Sequence, residues 1–266
     1  MVIRRDDAQE LLEVATDLAL AAGAVQRQWF DKPLQIATKS AMGDLVSQVD
    51  KEAEELVVRA LRRTRPHDAI LAEEGALCEG SSDIRWIIDP LDGTANYVRG
   101  YPAFCVSIAA EVSGYPLVGV VYETLADRLY AGVLDREATC NGAPIIVRQT
   151  EALSESVIGT GFSYDPDQRG CQGLVLAQLI RHVADIRRSG SAALDLCHVA
   201  CGALDGYFEL DLAPWDFAAG AVIAGAAGAH VLRLEARHGQ GPAIVAASPH
   251  LIDELVRLLR AAEALA

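Results

Sequence analysis

Positive charge and long apolar runs are both scarce in this sequence. Its 266 residues include 37 acidic and 23 basic side chains, for a formal net charge of −14, and only three of the basic residues are lysines. The longest apolar run, residues 217–231, is too short to span a bilayer. Because so acidic a surface repels nucleic-acid phosphates, we expect a soluble protein that binds neither nucleic acid nor membranes.

Features of secreted and repetitive proteins are also missing. The six cysteines include no C-x-x-C pair, and no repeat, low-complexity segment or linker interrupts the chain. The first residues, MVIRRDD, lack the charged and apolar segments that together form a secretory leader. We therefore expect reduced thiols and a cytoplasmic location.

The chain is long enough to bury a substantial core, and its two halves differ in pattern. Residues 6–30 and 51–65 are predicted to be helices, and turns separate the strands predicted between residues 104 and 133, as in a meandering antiparallel sheet. After residue 150 strands and helices alternate, which is typical of a layered α/β arrangement. We predict one closely packed unit with an α+β lobe over residues 1–150 and an α/β lobe over residues 151–266.

The most informative stretch is residues 86–97, WIIDPLDGTANY. Three apolar residues, typical of a buried strand, precede Asp89 and Asp92, and Gly93 and Thr94 then favour a turn and a helix start with Thr94 as its N-cap. Carboxylates bind hard cations, and a helix N-terminus binds phosphate. The stretch predicts metal-assisted phosphoryl chemistry. From these residues alone, a plain strand–turn–helix connection with solvated aspartates is the alternative.

Further carboxylates are predicted at strand ends or helix starts. Glu73 and Glu74 follow a short apolar strand, Asp216 opens a helix, and Asp50 is expected to cap the helix after it. For the two glutamates, solvated loop residues are the alternative. Carboxylates that shared one pocket could not all stay ionised without a divalent cation. Mg²⁺ takes only a few carboxylates per ion, so such a pocket could hold two or three ions.

These motifs resemble the signature set of the inositol monophosphatase family, a group of Mg²⁺-dependent, lithium-sensitive phosphatases. The resemblance covers nearly the whole chain in order and spacing. It rests on Glu73-Glu74, residues 89–94 and Trp215-Asp216, and Lys39, residues 44–50 and residues 190–193 also match. It implies an αβαβα sandwich of the inositol monophosphatase and fructose-1,6-bisphosphatase type, and a homodimer.

The resemblance also implies which residues hold the metal. Glu73, Asp89 and the Leu91 carbonyl would bind a first Mg²⁺, and Asp89, Asp92 and Asp216 would bind a second. Glu73 and waters would hold a weaker third ion. Two to three Mg²⁺ per site are therefore expected.

Catalytic and substrate-binding roles follow from the same resemblance. Thr94, oriented by Asp50 and assisted by Glu74, would position and deprotonate the attacking water, and Lys39 belongs to this catalytic set. Backbone N–H groups of the turn would receive the phosphate, and the 190–192 turn and a later glutamate would hold hydroxyls. The residues implied to contact substrate are Asp92, Gly93, Thr94, Gly190, Ser191, Ala192 and Glu209.

The chain departs from the family pattern at two positions, with Tyr97 where Phe is common and Arg99 where His is frequent. Neither is expected to ligate metal, but Arg99 leaves the substrate open. Arg187 and Arg188 could face substrate or a subunit interface, and the interface is the interpretation we favour. Glu209 favours a polyol because a carboxylate can accept two hydroxyl hydrogen bonds, and a structural glutamate is the alternative.

The activity implied is hydrolysis of a phosphate monoester of a small polyol, with myo-inositol monophosphate as the first candidate. Histidinol phosphate, fructose 1,6-bisphosphate or a 3′-phosphonucleotide is the alternative within the same chemistry. An alternative of another class is a non-catalytic regulatory or binding protein on this fold, acting in transcription.

Overall fold

The computed structural model describes residues 5–39, 44–237, 239 and 241–265. The α-helices in these ranges are α1 Arg5–Trp29, α2 Gln48–Thr64, α3 Thr94–Val98, α4 Pro166–Leu179, α5 Ala192–Ala200, α6 Pro214–Ala226 and α7 Ile252–Ala261. The strands up to residue 145 are β1 Ile36–Thr38, β2 Leu45–Ser47, β3 Ala69–Ala72, β4 Leu77–Cys78, β5 Ile84–Asp92, β6 Cys105–Val112, β7 Tyr115–Glu123, β8 Arg128–Val133, β9 Ala138–Cys140 and β10 Ala143–Ile145. The later strands are β11 Val157–Thr160, β12 Asp185–Arg187, β13 Gly206–Leu210, β14 His230–Glu235 and β15 Pro242–Ala247. Across these ranges, no helix combines the length and apolarity needed to cross a membrane.

The first large sheet has the strand order β10-β9-β8-β7-β6-β5-β3-β4. Its strands pair antiparallel except for β3 and β5, which run parallel. The meander predicted between residues 104 and 133 is therefore confirmed as β6, β7 and β8. Side chains of β5 alternate between the two faces of the sheet: Trp86 and Ile88 pack towards α1 and α2, and Ile87 packs on the opposite side.

The second large sheet has the order β12-β11-β13-β15-β14. Strands β12, β11 and β13 are parallel, and β13, β15 and β14 are antiparallel. The helices between its strands cover both faces, as expected for alternating strands and helices.

Five layers result from how the helices cover the two sheets. Helices α1 and α2 pack on one face of the first sheet, α5 and α6 lie between the sheets, and α4 and α7 cover the outer face of the second. Helix α6 lies directly on β7, since a Cβ at Gly119 would lie 2.3 Å from the Ala219 carbonyl oxygen. The predicted αβαβα sandwich is confirmed.

Two predicted helix starts are wrong. Helix α2 begins at Gln48, and its N-cap is Ser47, whose side chain accepts the Val49 amide proton; Asp50 lies inside the first turn and closes a capping box with Ser47. Helix α3 has Gly93 as its N-cap residue, with φ of +91°, so Thr94 is the first helical residue. The Thr94 hydroxyl is therefore available for other contacts, and Asp50 uses Oδ2 for the capping box and keeps Oδ1 for another partner.

Candidate active site

Carboxylates from both halves of the chain line one pocket. Glu73 follows β3, Asp89 and Asp92 lie at the end of β5, Glu209 lies on β13, and Asp216 lies in the first turn of α6. The sequence-predicted residues that line the pocket are Glu73, Asp89, Leu91, Asp92, Gly93, Thr94, Gly190, Ala192, Glu209 and Asp216. The other predicted residues do not line the pocket. Three of them are hydrogen-bonded to residues that do: Lys39 to Glu73, Asp50 to Thr94 and Ser191 to Asp92. The fourth, Glu74, is hydrogen-bonded to Lys39.

Asp92 joins the first sheet to helix α5. Its Oδ2 atom accepts hydrogen bonds from the Ser191 hydroxyl at 2.6 Å and from the Ala193 amide at 2.9 Å. Burial raises the pKa of Asp92 to about 6, although these two hydrogen bonds oppose the rise; the charge of Glu73 adds to it. Ser191 is also the N-cap of α5, so one hydroxyl both starts the helix and orients Asp92.

Asp89 and Asp216 both titrate well above the usual range of an aspartate. Burial is the main cause for each pKa, and repulsion adds to it, from Glu73 first for Asp89 and from Asp92 first for Asp216. The Leu91 amide donates to Asp89 Oδ1 at 2.9 Å, and the Ala213 amide donates to Asp216 Oδ2 at 2.7 Å. These bonds fix both side chains but leave the mutual repulsion uncompensated.

The donor set of this pocket fits a hard divalent cation. The Oε2 atom of Glu73 is buried without a hydrogen-bond partner, which is costly for a charged oxygen. Among the described residues, no three Asp, Glu, His or Cys side chains are arranged to hold a metal as they stand. The carboxylates thus face one pocket without converging on one point. Carboxylate and carbonyl oxygens are nevertheless the ligands that Mg²⁺ takes.

Lys39 lies against the two glutamates. Its Nζ donates to Glu73 Oε1 at 2.8 Å and also to Glu74 Oε1. Burial alone would lower the pKa of Lys39, but the two carboxylates outweigh burial and raise it above its ordinary value. Burial raises the pKa of Glu74 to about 7, against the opposing effect of Lys39. The lysine partly balances the repulsion between the adjacent glutamates.

The turn that carries the glutamates is held by Glu54, which sequence reasoning missed. Glu54 of α2 accepts the Glu74 amide proton at 2.7 Å and the Ala76 amide proton at 3.1 Å. Its side chain is buried. A single acidic residue inside a charged helix gives no local signal for such a contact.

Asp50 and Thr94 form a buried polar pair. The Thr94 hydroxyl donates to Asp50 Oδ1 at 2.7 Å and lies 3.0 Å from the Leu91 carbonyl oxygen. Asp50 Oδ2 accepts from the amide and hydroxyl of Ser47. Burial raises the pKa of Asp50 while the bonds from Ser47 and Thr94 oppose the rise. Asp50 therefore fixes the rotamer of a hydroxyl that faces the pocket.

Glu209 has room in the pocket because residue 161 is a glycine. A Cβ at Gly161 would lie 2.0 Å from the Glu209 carboxyl carbon. The Tyr207 hydroxyl donates to Glu209 Oε2 at 2.6 Å. Burial raises the pKa of Glu209 to about 7, and the Tyr207 hydrogen bond opposes the rise. Sequence reasoning missed this role of Gly161.

The sequence did not show where Arg99, Arg187, Arg188 and Tyr97 lie. Arg188 lines the pocket, which favours the substrate alternative for this residue, and Arg187 pairs with Asp185 on the surface. The subunit-interface interpretation stays a prediction. Arg99 is exposed at the end of α3. The Tyr97 hydroxyl donates to the main-chain carbonyl of Gln26 at 2.7 Å, so the extra oxygen relative to Phe has a buried partner.

Comparison with known proteins gives consistent matches over most of the chain. A profile of the inositol monophosphatase family matches residues 7–264. The inositol-1-monophosphatase of Synechocystis sp. is 43% identical over 229 residues, 85% of this chain and 80% of that protein. Nus factor SuhB of Pasteurella multocida is 38% identical over 256 residues, 94% of this chain and 96% of that protein. The crystal structure of extragenic suppressor protein suhB from Bartonella henselae superposes with a TM-score of 0.87 at 34% identity, covering 94% of this chain and 98% of that one.

Proposed function

The chain belongs to the inositol monophosphatase family, and on that premise we propose that it is a Mg²⁺-dependent phosphatase for a small polyol phosphate. Family membership supports phosphatase chemistry, and myo-inositol monophosphate is the substrate we propose first. One observation carries the metal dependence: buried carboxylates with raised pKa face one pocket, beside an unpartnered oxygen of Glu73. We also propose a homodimer, lithium sensitivity and a cytoplasmic location, as expected for this family.

The proposed ligand set follows the residues that face the pocket. Glu73, Asp89 and the Leu91 carbonyl would hold one Mg²⁺, and Asp89, Asp92 and Asp216 a second, with Glu73 and waters available to a third. Bound Mg²⁺ lowers the pKa of water and stabilises the charge that develops on a phosphate ester.

The chain's own groups would then orient the reactants. Thr94, whose hydroxyl donates to Asp50, would accept a hydrogen bond from the attacking water. As Thr94 takes up the water's proton, its own hydroxyl proton would pass to Asp50, with Glu74 assisting and Lys39 holding Glu74. The N–H groups of Gly93 and Thr94 would bind the phosphate. Helix α3 spans only five residues, so its dipole contributes little there.

Substrate hydroxyls would meet the wall of the pocket formed by the second half of the chain. Glu209 Oε1 is left for a hydroxyl because Tyr207 occupies Oε2. The turn at Gly190, Ser191 and Ala192 completes this wall, and Arg188 lies beside it. A carboxylate acceptor in this wall supports a polyol rather than an apolar alcohol.

The test is phosphate release from a panel of esters, with Mg²⁺ and with EDTA. The panel holds inositol 1-phosphate, histidinol phosphate, fructose 1,6-bisphosphate and 3′-phosphoadenosine 5′-phosphate. We expect metal-dependent turnover led by inositol 1-phosphate. If another ester is hydrolysed fastest, the phosphatase chemistry stands and the proposed substrate changes. If no ester is hydrolysed with Mg²⁺ present, the proposed phosphatase activity is refuted.

A second candidate is a regulatory role, which the similarity to Nus factor SuhB of Pasteurella multocida favours. Asp92→Asn separates the two candidates. It removes a proposed metal ligand, so phosphatase activity should be lost, whereas a purely regulatory role should survive it.

A further inference from the structure

The side chain of Gln26 joins helix α1 to the strand that carries Asp89 and Asp92. Gln26 lies near the end of α1 and is fully buried. Its Nε2 atom donates to the Pro90 carbonyl oxygen at 2.8 Å and to the Cys105 carbonyl oxygen at 3.2 Å. Its Oε1 atom accepts the hydroxyl proton of Thr124. Both amide protons and the amide oxygen are therefore used.

The Pro90 carbonyl needs this partner because the strand pairing is irregular there. Asp89 pairs with Ser107 and Asp92 pairs with Cys105, so the register of β5 against β6 shifts between the two aspartates. Pro90 is buried at this irregularity. A buried carbonyl without a hydrogen bond is unfavourable, and the amide of Gln26 supplies that bond from another element.

Holding the Pro90 carbonyl also fixes the orientation of the Pro90–Leu91 peptide group. The Pro90 carbonyl and the Leu91 N–H lie in one planar peptide group, so holding the carbonyl also fixes the Leu91 N–H, which donates to Asp89 Oδ1. The Leu91 carbonyl belongs to the peptide group that follows, and it lies 3.0 Å from the Thr94 hydroxyl. Rotation of the Pro90–Leu91 peptide would break the hydrogen bond to Asp89 and shift the backbone that carries the Leu91 carbonyl.

We infer that Gln26 is a positioning residue for the metal site: its amide holds the Pro90 carbonyl and thereby aims the Leu91 carbonyl and the Asp89 carboxylate. The inference rests on the proposed function, because it takes these oxygens as Mg²⁺ ligands. Gln26 acts through the backbone of the strand and not by contact with substrate.

The test compares Gln26→Met with Tyr97→Phe. Gln26→Met keeps the length of the side chain and removes both donors. Tyr97→Phe removes a buried hydrogen bond to the same turn of α1 and leaves the amide intact. Mg²⁺ binding is measured by titration calorimetry, and stability by thermal melting. We expect Gln26→Met to weaken Mg²⁺ binding about 10–100-fold, the usual effect of removing a residue that orients a metal ligand, and Tyr97→Phe to keep the wild-type affinity.

The outcomes separate this inference from the proposed function. If Gln26→Met lowers the melting temperature as Tyr97→Phe does but binds Mg²⁺ like the wild type, Gln26 is only structural and the inference fails. If Gln26→Met does not fold, Thr124→Val is the second variant. Loss of the Thr124 hydroxyl removes the hydrogen bond that holds the Gln26 amide oxygen, so Mg²⁺ binding should weaken here too. Unchanged Mg²⁺ binding in Thr124→Val overturns the inference. A wild type that neither binds Mg²⁺ nor releases phosphate would instead refute the proposed function.

Discussion

The Thr94 hydroxyl has one proton and two acceptors within reach, Asp50 Oδ1 and the Leu91 carbonyl. We predict that Thr94→Ala lowers kcat about 10²–10⁴-fold, the range typical of a lost proton-transfer group, while Mg²⁺ affinity stays near that of the wild type. Steady-state phosphate release and Mg²⁺ titration measure the two quantities. Thr94→Ser is the matched control, because it keeps the hydroxyl and should keep most of the activity. Equal loss in both variants would contradict the role.

Glu209 should make substrate binding depend on pH. Since burial raises its pKa to about 7, the carboxylate is protonated in acid and ionised in base. As the ionised form accepts hydroxyl hydrogen bonds, the KM for inositol 1-phosphate at saturating Mg²⁺ should fall as pH rises through about 7. Glu209→Gln should flatten this profile and raise KM about tenfold or more above neutral pH, because a hydrogen bond to a charged group contributes about 1.5–3 kcal/mol.

Phenyl phosphate is the control for this prediction, since it carries no hydroxyl for Glu209 to bind. Its KM should be the same in the wild type and in Glu209→Gln. A parallel rise for both esters would show that Glu209 acts on the phosphate or on the metal instead.

At the residue scale, the motif carboxylates could be named from the sequence because they cluster at the ends of predicted strands or at the start of a predicted helix. Gln26, Glu54 and Gly161 could not be named, because their partners lie far away in the chain and the residues themselves have no local signature. For the same reason the sequence could not decide between the two alternatives for Arg188. The roles proposed for the predicted site residues stay predictions until they are measured.

At the element scale, the turn after β11 sets the position of Glu209. Gly161→Ala would place a Cβ 2.0 Å from the Glu209 carboxyl carbon, so we predict that Glu209 is displaced and the KM for inositol 1-phosphate rises. Gly173→Ala is the matched control. Gly173 is exposed in α4 with no atom near its would-be Cβ, so that variant should gain roughly 0.5–1 kcal/mol of helix stability with KM unchanged. A wild-type KM in Gly161→Ala would refute the steric role of this glycine.

Element boundaries were the least predictable part of the fold. Asp50 looked like an N-cap because a charged helix follows it, but Ser47 lies three residues earlier and forms the capping box with it. Strand β5 continues to Asp92, beyond the apolar run from which the strand was predicted. Pairing with β6 extends the strand to Asp92, and the sequence pattern of β5 alone does not indicate that it pairs with β6.

For the whole molecule, we predict that stability without metal falls as pH rises. The buried carboxyls have pKa values raised above those of the unfolded chain. The folded state therefore binds more protons, and it loses stability as pH rises from about 4 through the raised pKa of each group, which is about 6 for Asp92. Raising one pKa from 3.8 to about 6, as for Asp92, costs about 3 kcal/mol at alkaline pH. The melting temperature of the EDTA-treated protein should be on the order of 5–10 °C lower at pH 8 than at pH 5.

Mg²⁺ should reverse this loss, because it binds the ionised carboxylates of the folded state. We expect Mg²⁺ to raise the melting temperature more at pH 8 than at pH 5. NaCl at equal ionic strength is the control for simple screening of charge. An equal rise with NaCl, or no difference between the two pH values, would contradict a divalent-cation site.

The layered architecture could be predicted for the whole molecule because it depends on a resemblance that spans the chain and on the change from meander to alternation near residue 150. The division into two lobes stays a prediction. Which helices fill the middle layer could not be derived from the sequence, since α5 and α6 are apolar on most sides and give no preferred face.

The middle layer of helices also determines when the core can close during synthesis of the chain. The first sheet is complete once Ile145 has been made, but one of its faces, with Ile87, Val121 and Tyr130, is covered by α5 and α6. Roughly 80 more residues must leave the ribosome before α6 is finished, which takes on the order of 4–16 s at ordinary rates of synthesis. For that interval the nascent chain exposes an apolar face of the first sheet. Asp216 is the last of the proposed ligands to be synthesised, and it lies on α6, one of the two helices that cover this face. The growing chain therefore acquires its full set of proposed metal ligands only when its main core closes.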